Sequence, residues 1–335
     1  MPIDRMAKLS IGFIGAGGIA RSHTNALKQI EDVRFASFCD IIEDRAKYYS
    51  REYGGTAYTD FSEMLEKEDL DAVYICLPPF AHSNEVELAA ERGINVFIQK
   101  PIALDMEQAR HMVMAVEKAG VKSQVGYQLR FGSGVRMAKR LLDEDGLGQV
   151  SMALGRYICN FVGGSWWKDP AKSGGQIVEQ STHAVDLLRY LCGDITRVSS
   201  EMDIRYWTEV DDLEIEDVSV TSLRFLSGAV GSMVATTGGY PGKWVLDLSV
   251  FTKRAVIDIP QVNAIEINWN DDGAREETHS SQVDLSLEES KHFLGAIKED
   301  GTTITPMSEG AKSLAVTLAI RKSGVENAPQ DVPEL

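Results

Sequence analysis

The fold of this chain is decided by one stretch near its start, Lys8-Leu9-Ser10-Ile11-Gly12-Phe13-Ile14-Gly15-Ala16-Gly17-Gly18-Ile19-Ala20. Its apolar first half is typical of a buried strand, and its second half has the spacing Gly15-x-Gly17-x-x-Ala20. Gly15 permits a tight turn, Gly17 lets a phosphate approach the backbone, and Ala20 allows helix and strand to pack closely. The amides and dipole of the following helix favour an anion. The stretch therefore predicts a dinucleotide-binding turn.

A second strand supplies a residue suited to recognising the ribose of such a cofactor. The apolar run 33–39 ends on Asp40, about 20 residues beyond the glycine turn, where a carboxylate accepts hydrogen bonds from ribose hydroxyls. Capping of a helix is the structural alternative for Asp40. Asp40 would repel a 2′-phosphate and Ile41 offers no cation, whereas Arg45 could swing back to a phosphate. We therefore expect NAD rather than NADP.

Length and composition limit the classes of protein that need to be considered. The chain has 335 residues with a net charge of −16, which predicts two domains. The lack of a long basic run argues against nucleic acids and anionic membrane surfaces as partners. The four cysteines form no CxxC pair, so neither a zinc site nor a disulfide framework is expected. The N-terminus lacks an apolar signal core and no run is long enough to span a bilayer, so we expect a cytoplasmic protein.

Strands and helices alternate through the first part of the chain. After the first two strands, the apolar runs 70–77, 95–99 and 123–127 read as further strands. Helical patterns lie between them, with one beginning at His82 or Ser83 and another at Asp105. This alternation predicts a doubly wound parallel sheet in residues 1–130.

The rhythm changes after residue 150. A strand over 150–159 is followed by one strong helix over 177–191. Extended stretches follow, and two helices close the chain. The predicted strands are 197–206, 218–226, 229–236, 245–251, 255–259 and 264–269, and the closing helices are 285–298 and 308–323. This pattern predicts an α+β domain over residues 131–335 with a large open, mostly antiparallel sheet.

Reactive groups are expected at the carboxyl ends of the parallel strands, because the ligand crevice of such sheets lies there. One strand ends at Leu77-Pro78, with His82 four residues later, and another ends at Gln99-Lys100-Pro101. The proline restrains the backbone that carries Lys100, which favours a chemical role over that of an ordinary exposed lysine. His82 either faces the cofactor or caps a helix. The predicted cofactor-binding residues are Gly15, Ala16, Gly17, Gly18, Ile19, Asp40, Arg45, Leu77, Pro78, His82, Gln99 and Lys100.

A second group of candidate residues lies on the predicted helix over 177–191. Glu179, His183 and Asp186 would share one helical face. A histidine flanked by carboxylates can move a proton near neutral pH, although an inert surface Glu–His pair has the same spacing. Zinc would need a third ligand, which is not evident. We therefore expect catalysis by Lys100, His183 and Glu179, and no metal.

Other residues of the second half are candidates for lining the substrate pocket. The Trp166-Trp167 pair suits the apolar face of a sugar ring, with core or interface packing as the alternative. Asn160 is a weaker candidate of the same kind. The predicted substrate-binding residues are Lys100, Arg130, Tyr157, Trp166, Trp167, Glu179 and His183.

Taken together, these motifs resemble the glucose–fructose oxidoreductase, inositol dehydrogenase and rhizopine-catabolism family (Gfo/Idh/MocA). The matching motifs are Gly15-x-Gly17-x-x-Ala20, Pro78-x-x-x-His82, Lys100-Pro101, Gly126-Tyr127 with Arg130-Phe131, and Gly174-Gly175 with Glu179, His183 and Asp186. The resemblance implies an N-terminal Rossmann domain and a C-terminal sheet domain through which a homodimer or homotetramer assembles. It also implies NAD(P)-dependent oxidation or reduction of sugars, cyclitols or related polyols.

Two positions depart from the family's pattern. Gln99 stands where the family usually has Glu, which removes a negative charge beside Lys100. Glu179 stands where the family usually has Asp, which keeps the charge on a longer side chain. These changes either retune the site or mark a member with different chemistry.

The expected reaction is hydride transfer between a secondary alcohol and nicotinamide. In this hypothesis His183 takes the hydroxyl proton, Lys100 stabilises the developing negative charge, and Glu179 orients the substrate or the imidazole. One alternative is an NAD-dependent hydrolase or lyase that oxidises its sugar only transiently. Another is a non-catalytic NAD sensor. The sequence leaves the particular polyol and the direction of the reaction open.

Overall fold

The computed structural model describes residues 8–144, 146–270 and 275–335. The first half contains β1 (Leu9–Ile14), α1 (Gly18–Leu27), β2 (Val33–Cys39), α2 (Glu43–Tyr53), β3 (Thr56–Tyr58), α3 (Phe61–Lys67), β4 (Ala72–Ile75), α4 (Glu85–Glu91), β5 (Asn95–Ile98), α5 (Met106–Ala119), β6 (Ser123–Val125) and α6 (Ser133–Asp143). Short 3₁₀ turns cover Pro79–Ala81 and Gln128–Phe131.

The second half adds many strands and few long helices. Its elements are β7 (Val150–Ile158), α7 (Ser165–Lys168), α8 (Pro170–Ser173), α9 (Gln176–Glu179), α10 (Thr182–Cys192), β8 (Ile195–Asp203), β9 (Val218–Phe225), β10 (Val230–Thr236), β11 (Val245–Thr252), β12 (Ala255–Gln261), β13 (Ala264–Trp269), β14 (Glu276–Ser280), α11 (Leu285–Lys298), α12 (Met307–Glu326) and β15 (Gln330–Asp331). Within the described ranges, no helix is both long enough and apolar enough to cross a membrane.

The chain forms two compact units. Unit 1 contains the described residues up to Gly126 together with Asp284–Ala311, and unit 2 contains Tyr127–Val283 with Lys312–Leu335. The predicted second domain, residues 131–335, included residues 284–311, which the structure places in unit 1. That segment joins unit 1 because Phe293 of α11 packs edge-on against Tyr74 and Phe97, with ring centroids 5.8 and 5.7 Å apart.

Unit 1 is built around a parallel sheet with strand order β3-β2-β1-β4-β5-β6. Every residue of β4 is buried, as expected for a central strand that is covered on both faces. Stacked rings of Phe13, Phe38, Tyr74 and Phe97 fill one side of the sheet. The predicted doubly wound parallel sheet is confirmed.

Unit 2 is built around a larger sheet. In the described part of the chain this sheet has nine strands in the order β14-β13-β12-β11-β7-β10-β9-β8-β15. The β7–β10 pair is parallel and the other pairs are antiparallel. Burial alternates along β9, so one face of the sheet packs on a core that includes Leu187 and Leu188 of α10. The predicted open, mostly antiparallel sheet is confirmed. The two edge strands β14 and β15 and the helix α6 were not predicted.

The helix predicted over 177–191 is interrupted in the structure. Residues Gln176–Glu179 and Thr182–Cys192 are helical, and the turn between them is held by a hydrogen bond of 2.7 Å from Gln176 Nε2 to Ser181 Oγ. At the same turn the backbone N–H of Ser181 donates to Gln176 O at 3.0 Å, so the chain closes a wider turn than the i→i−4 bonds of an α-helix. The prediction that Glu179 and His183 share one helix is therefore wrong.

Candidate functional site

The turn after β1 has the backbone geometry that its glycines predict. Gly15 has φ +90°, its N–H donates to Cys39 O at 2.8 Å, and a Cβ there would lie 2.5 Å from Cys76 O. Gly17 and Gly18 have open space where a Cβ would project. Gly15 is thus required by the fold, whereas Gly17 and Gly18 leave room for a ligand.

The N-terminus of α1 borders a cavity that suits a dinucleotide. No side chain caps this helix end, so its first amides are available to an anion. The adjoining cavity has a volume of about 570 Å³ and is lined by Ala16, Gly17, Gly18, Arg21, Asp44, Arg45, Tyr48 and Tyr49. Arg45, a predicted cofactor-binding residue, lines this cavity. Arg21 lines it too, although no role for Arg21 was predicted from the sequence. The open glycines and uncapped amides fit the phosphates of NAD.

Asp40 ties this turn to the loop after β2. Its carboxylate accepts hydrogen bonds from Ala16 N at 2.9 Å and from Ile42 N at 2.8 Å. The side chain is buried, and Ile41 beside it is exposed. Asp40 therefore shapes the glycine turn, and its predicted contact with a ribose stays a prediction.

Lys100 lies two residues after the end of β5, and Gln99, the residue before it, is buried. Gln99 packs its amide against the ring of His23 on α1, with Gln99 Nε2 at hydrogen-bond distance from His23 Nε2. A Cβ at Gly126 would lie 2.7 Å from the same amide. Lys100 itself is half-buried. The contact between Gln99 and His23 thus joins the end of β5 to α1, the helix that begins at the glycine turn. The Gln99 amide is therefore engaged inside unit 1.

The three cofactor-binding residues predicted after β4, Leu77, Pro78 and His82, lie in different surroundings. Leu77 and Pro78 are half-buried, as expected beside a crevice. His82 Nδ1 lies 2.5 Å from Glu85 Oε1, and Glu85 Oε2 accepts from Ser83 N at 2.8 Å. This pair lies just before α4, which begins at Glu85 rather than at the predicted His82 or Ser83. The N-cap of α4 is Asn84 and no side chain caps this helix, so the capping alternative for His82 is wrong. Glu85 was not singled out, although its spacing three residues after His82 was a usable signal.

In unit 2, Glu179 and Asp186 have separate partners. Glu179 Oε2 accepts a hydrogen bond of 3.0 Å from the indole Nε1 of Trp167. Asp186 is buried and receives the guanidinium of Arg130 through Nε at 2.8 Å and Nη2 at 2.7 Å. Asp186 is thus engaged by Arg130, whereas the predicted grouping of Glu179 with His183 stays a prediction. Asp186 belongs to a buried ion pair.

The same geometry argues against the predicted role of Arg130 in lining a substrate pocket. Its side chain is 1% exposed, and its guanidinium stacks over the Tyr190 ring at 4.6 Å. Ser313 adds a further hydrogen bond of 3.1 Å to Asp186 Oδ1. A fully buried, bidentate arginine holds α10 to the turn that precedes α6.

His183 and Tyr157 line one cavity of about 760 Å³ in unit 2. Burial raises the pKa of Tyr157 strongly, and the charges of Cys159 and Glu179 raise it further, so its hydroxyl keeps its proton near neutral pH. The remaining wall is formed by Gln128, Leu129, Lys243, Trp244, Val245, Leu246, Pro260, Gln261 and Val262. No acidic residue stands among the residues that form this wall. Tyr157 was expected here, whereas Trp244 and Lys243 were missed because no motif surrounds them.

The two neighbouring tryptophans differ in exposure. Trp167 is buried and stacks edge-on with Phe161 at 5.5 Å, whereas Trp166 is half-buried. Asn160 is engaged through its Nδ2 with Gly239 O at 3.2 Å. Trp167 therefore positions Glu179, and Trp166 is the member of the pair that retains open surface. Across the described ranges, no three metal-ligating side chains form a cluster.

Comparisons with known proteins agree with this architecture. Residues 9–127 match a family model described as an oxidoreductase family with an NAD-binding Rossmann fold, and residues 135–258 match the GFO/IDH/MocA C-terminal domain. The chain is 26% identical to a myo-inositol 2-dehydrogenase of Thermotoga maritima over 331 residues, covering 94% of this chain and 96% of that protein. It is 30% identical to a scyllo-inositol 2-dehydrogenase (NAD⁺) of Bacillus subtilis over 226 residues, covering 67% and 66%.

A solved structure shares the fold of the whole chain. A levoglucosan dehydrogenase in complex with NADH and levoglucosan superposes with a TM-score of 0.90 at 20% identity, covering 98% of this chain and 100% of the other.

Proposed function

Because this chain belongs to the Gfo/Idh/MocA family of oxidoreductases and carries its NAD-binding Rossmann domain, we propose that it transfers a hydride between nicotinamide and a secondary alcohol of a sugar, cyclitol or related polyol. The proposal rests most directly on the glycine turn, where Gly17 and Gly18 leave open space beside uncapped helix amides. The relatives named as inositol dehydrogenases favour this substrate class.

NAD would be held by the turn residues Gly15 to Ile19, with Asp40 at its ribose and the Leu77-Pro78 and Gln99-Lys100 corners near its other half. When bound, it supplies the hydride acceptor or donor. Asp40 disfavours a 2′-phosphate through its charge, whereas Arg21 and Arg45 of the same cavity are cations that could meet one. We propose NAD as the preferred cofactor because the Asp40 carboxylate is held directly at the glycine turn, where it accepts a hydrogen bond from Ala16 N.

The proton of the substrate hydroxyl is assigned to His183. Its imidazole lies in the wall of the unit 2 cavity, where a neutral ring can accept a proton near pH 7. Tyr157 Oη, kept protonated by burial, donates a hydrogen bond to substrate in the same cavity. Glu179, held by Trp167, orients the imidazole or the substrate.

Lys100 is assigned to stabilise negative charge on the reacting oxygen. The replacement of the family's Glu by Gln99 is compatible with this role of Lys100. The Gln99 amide contacts His23, so the Lys100 ammonium is the charged group at this corner.

The experiment that tests the proposal is a panel of cyclitols, aldoses and sugar acids with NAD⁺ and, separately, NADP⁺. We expect stoichiometric NADH with at least one polyol, measured at 340 nm. Turnover with tightly held NAD that is not consumed would instead favour the hydrolase or lyase alternative. Binding of NAD with no change for any compound would favour the sensor. Cytoplasmic location and assembly through the C-terminal sheet stay predictions.

A further inference from the structure

Trp244 is an unusual residue in the wall of the unit 2 cavity. It lines the same cavity as His183 and Tyr157, yet 58% of its surface is exposed. Large aromatic side chains normally bury most of their area. An indole that is left open inside a cavity wall presents a flat apolar face to whatever fills the cavity.

The orientation of this indole is fixed by its neighbours. Its ring meets the ring of Tyr157 edge-on, with centroids 6.4 Å apart and an interplanar angle of 75°. Phe161 lies beside it with a centroid distance of 5.8 Å and an interplanar angle of 35°. These two ring contacts hold the indole in place, and 58% of its surface stays open to a ligand.

Phe161 continues the aromatic wall toward the candidate catalytic carboxylate. It is 37% exposed, and it stacks edge-on with Trp167, whose indole N–H holds Glu179. Tyr157, Trp244, Phe161 and Trp167 thus form a continuous series of contacting rings. One end of the series is the buried Tyr157 beside the His183 wall, and the exposed part is Trp244 with Phe161.

The cavity is larger than the smallest ligand pockets. Its volume of about 760 Å³ compares with roughly 300 Å³ at the lower end for small-molecule sites. An aromatic face complements the C–H face of a pyranose, whereas a polar cyclitol ring has hydroxyls best met near His183 and Tyr157. The wall therefore offers two kinds of surface, one polar and one aromatic.

We propose that Trp244, which lines the cavity and packs against Phe161, forms a second subsite that stacks the non-reacting ring of a glycoside. The substrate is then a two-ring compound, a disaccharide or an aryl glycoside. Its reacting ring lies beside His183 and Tyr157, and its second ring lies against Trp244. This inference rests on the proposed function for the reaction at the first ring. Binding of the second ring at Trp244 is measured separately from that reaction.

The test measures dissociation constants by saturation-transfer NMR on the full chain with NAD⁺ bound. The one-ring probes are D-glucose and methyl β-D-glucoside, and the two-ring probes are cellobiose, maltose and phenyl β-D-glucoside. We expect at least one two-ring probe to bind about tenfold more tightly than its one-ring parent. In Trp244→Ala this ratio falls toward one, and Phe161→Ala lowers it in the same direction.

Tyr240→Ala is the matched control. Tyr240 is 57% exposed and lies four residues before Trp244 but outside the cavity wall, so its variant should keep the full ratio. Thermal unfolding and light scattering of all variants accompany the titrations. Trp244→Ala should keep the assembly state of the parent protein.

Three results would overturn the inference. They are equal affinity for one-ring and two-ring probes, an unchanged ratio in Trp244→Ala, and loss of an oligomer in that variant, which would assign Trp244 to an interface between copies. The proposed function fails separately. NADH formation with one-ring polyols but no two-ring preference sinks only the subsite, and two-ring preference without NADH formation sinks only the dehydrogenase.

Discussion

Arg130 and Asp186, 56 residues apart in the sequence, form a bidentate ion pair in the interior of unit 2. Neither side chain is more than 2% exposed. The pair replaces the roles that the sequence suggested for both residues, and it anchors the helix that carries His183.

Asp186→Asn should therefore destabilise the protein strongly. Removal of one partner leaves a buried guanidinium uncompensated, which costs about 3–5 kcal/mol. The matched control is Asp247→Asn at the more exposed Arg156–Asp247 pair, which has the same bidentate geometry, and there the loss should stay below about 1 kcal/mol. Urea unfolding of the two variants measures both values. Similar losses would mean that burial is not what makes the Asp186 pair matter.

Gly15→Ala and Gly17→Ala should have opposite effects on folding and binding. At Gly15 the backbone has φ +90° and an added Cβ meets Cys76 O, so we expect a loss of about 1–3 kcal/mol or more. At Gly17 an added Cβ meets no protein atom, so stability should change by less than about 1 kcal/mol while NAD affinity falls. Thermal unfolding and calorimetric titration with NAD⁺ separate the two effects. A Gly17→Ala protein that binds NAD⁺ normally would place the phosphates elsewhere.

Lys100→Met and His183→Ala should each lower kcat by about 10²–10⁴-fold, because each removes a group assigned to proton transfer or charge stabilisation. The affinity for NAD⁺ should change little in His183→Ala. Lys118→Met and His111→Ala change exposed residues of α5 and serve as controls. The rates are followed at 340 nm with the best polyol of the panel. Wild-type kcat in both test variants would remove the two residues from the chemistry.

Asp40→Asn should weaken the discrimination between the two cofactors. Loss of the carboxylate charge removes the repulsion of a 2′-phosphate, so the ratio of NADP⁺ to NAD⁺ dissociation constants should fall by about tenfold, or 1.4 kcal/mol. Glu43→Gln is the control, because Glu43 opens the same helix as Asp44 but is not among the residues that line the cavity. Calorimetric titration gives both constants. A parent protein that binds NADP⁺ more tightly would show that Arg21 and Arg45 outweigh Asp40.

His23 should make stability depend on pH. Burial lowers its pKa from 6.5 to about 4, so between these values the unfolded chain binds a proton that the folded protein excludes. Stability is therefore fully present above about pH 6.5 and falls as the pH drops toward 4, by up to about 3 kcal/mol. His23→Gln removes this titration and should flatten the slope, whereas His111→Gln at an exposed site should not. Urea unfolding at several pH values gives the slopes, and parallel slopes for His23→Gln and the parent would refute the assignment.

The sequence by itself determined the features that depend on neighbours along the chain. The glycine turn, the apolar parallel strands and Asp40 at the end of β2 were predictable because strand burial and turn chemistry follow local residue patterns. Seven strands of the second sheet were predicted to within three residues at each end for the same reason, whereas β14 and β15 were missed. The NAD-binding domain and the family assignment followed from these local motifs.

Only the tertiary structure decided which side chains meet across long stretches of chain. Arg130 pairs with Asp186 across 56 residues of sequence, and the helix break after Glu179 lies where Gln176 Nε2 donates to Ser181 Oγ. Trp244 belongs to no motif, so its place beside Tyr157 came from the pairing of β11 with β7. The physical reason is that local propensity fixes elements, whereas burial and charge pairing between distant residues fix the roles of their side chains.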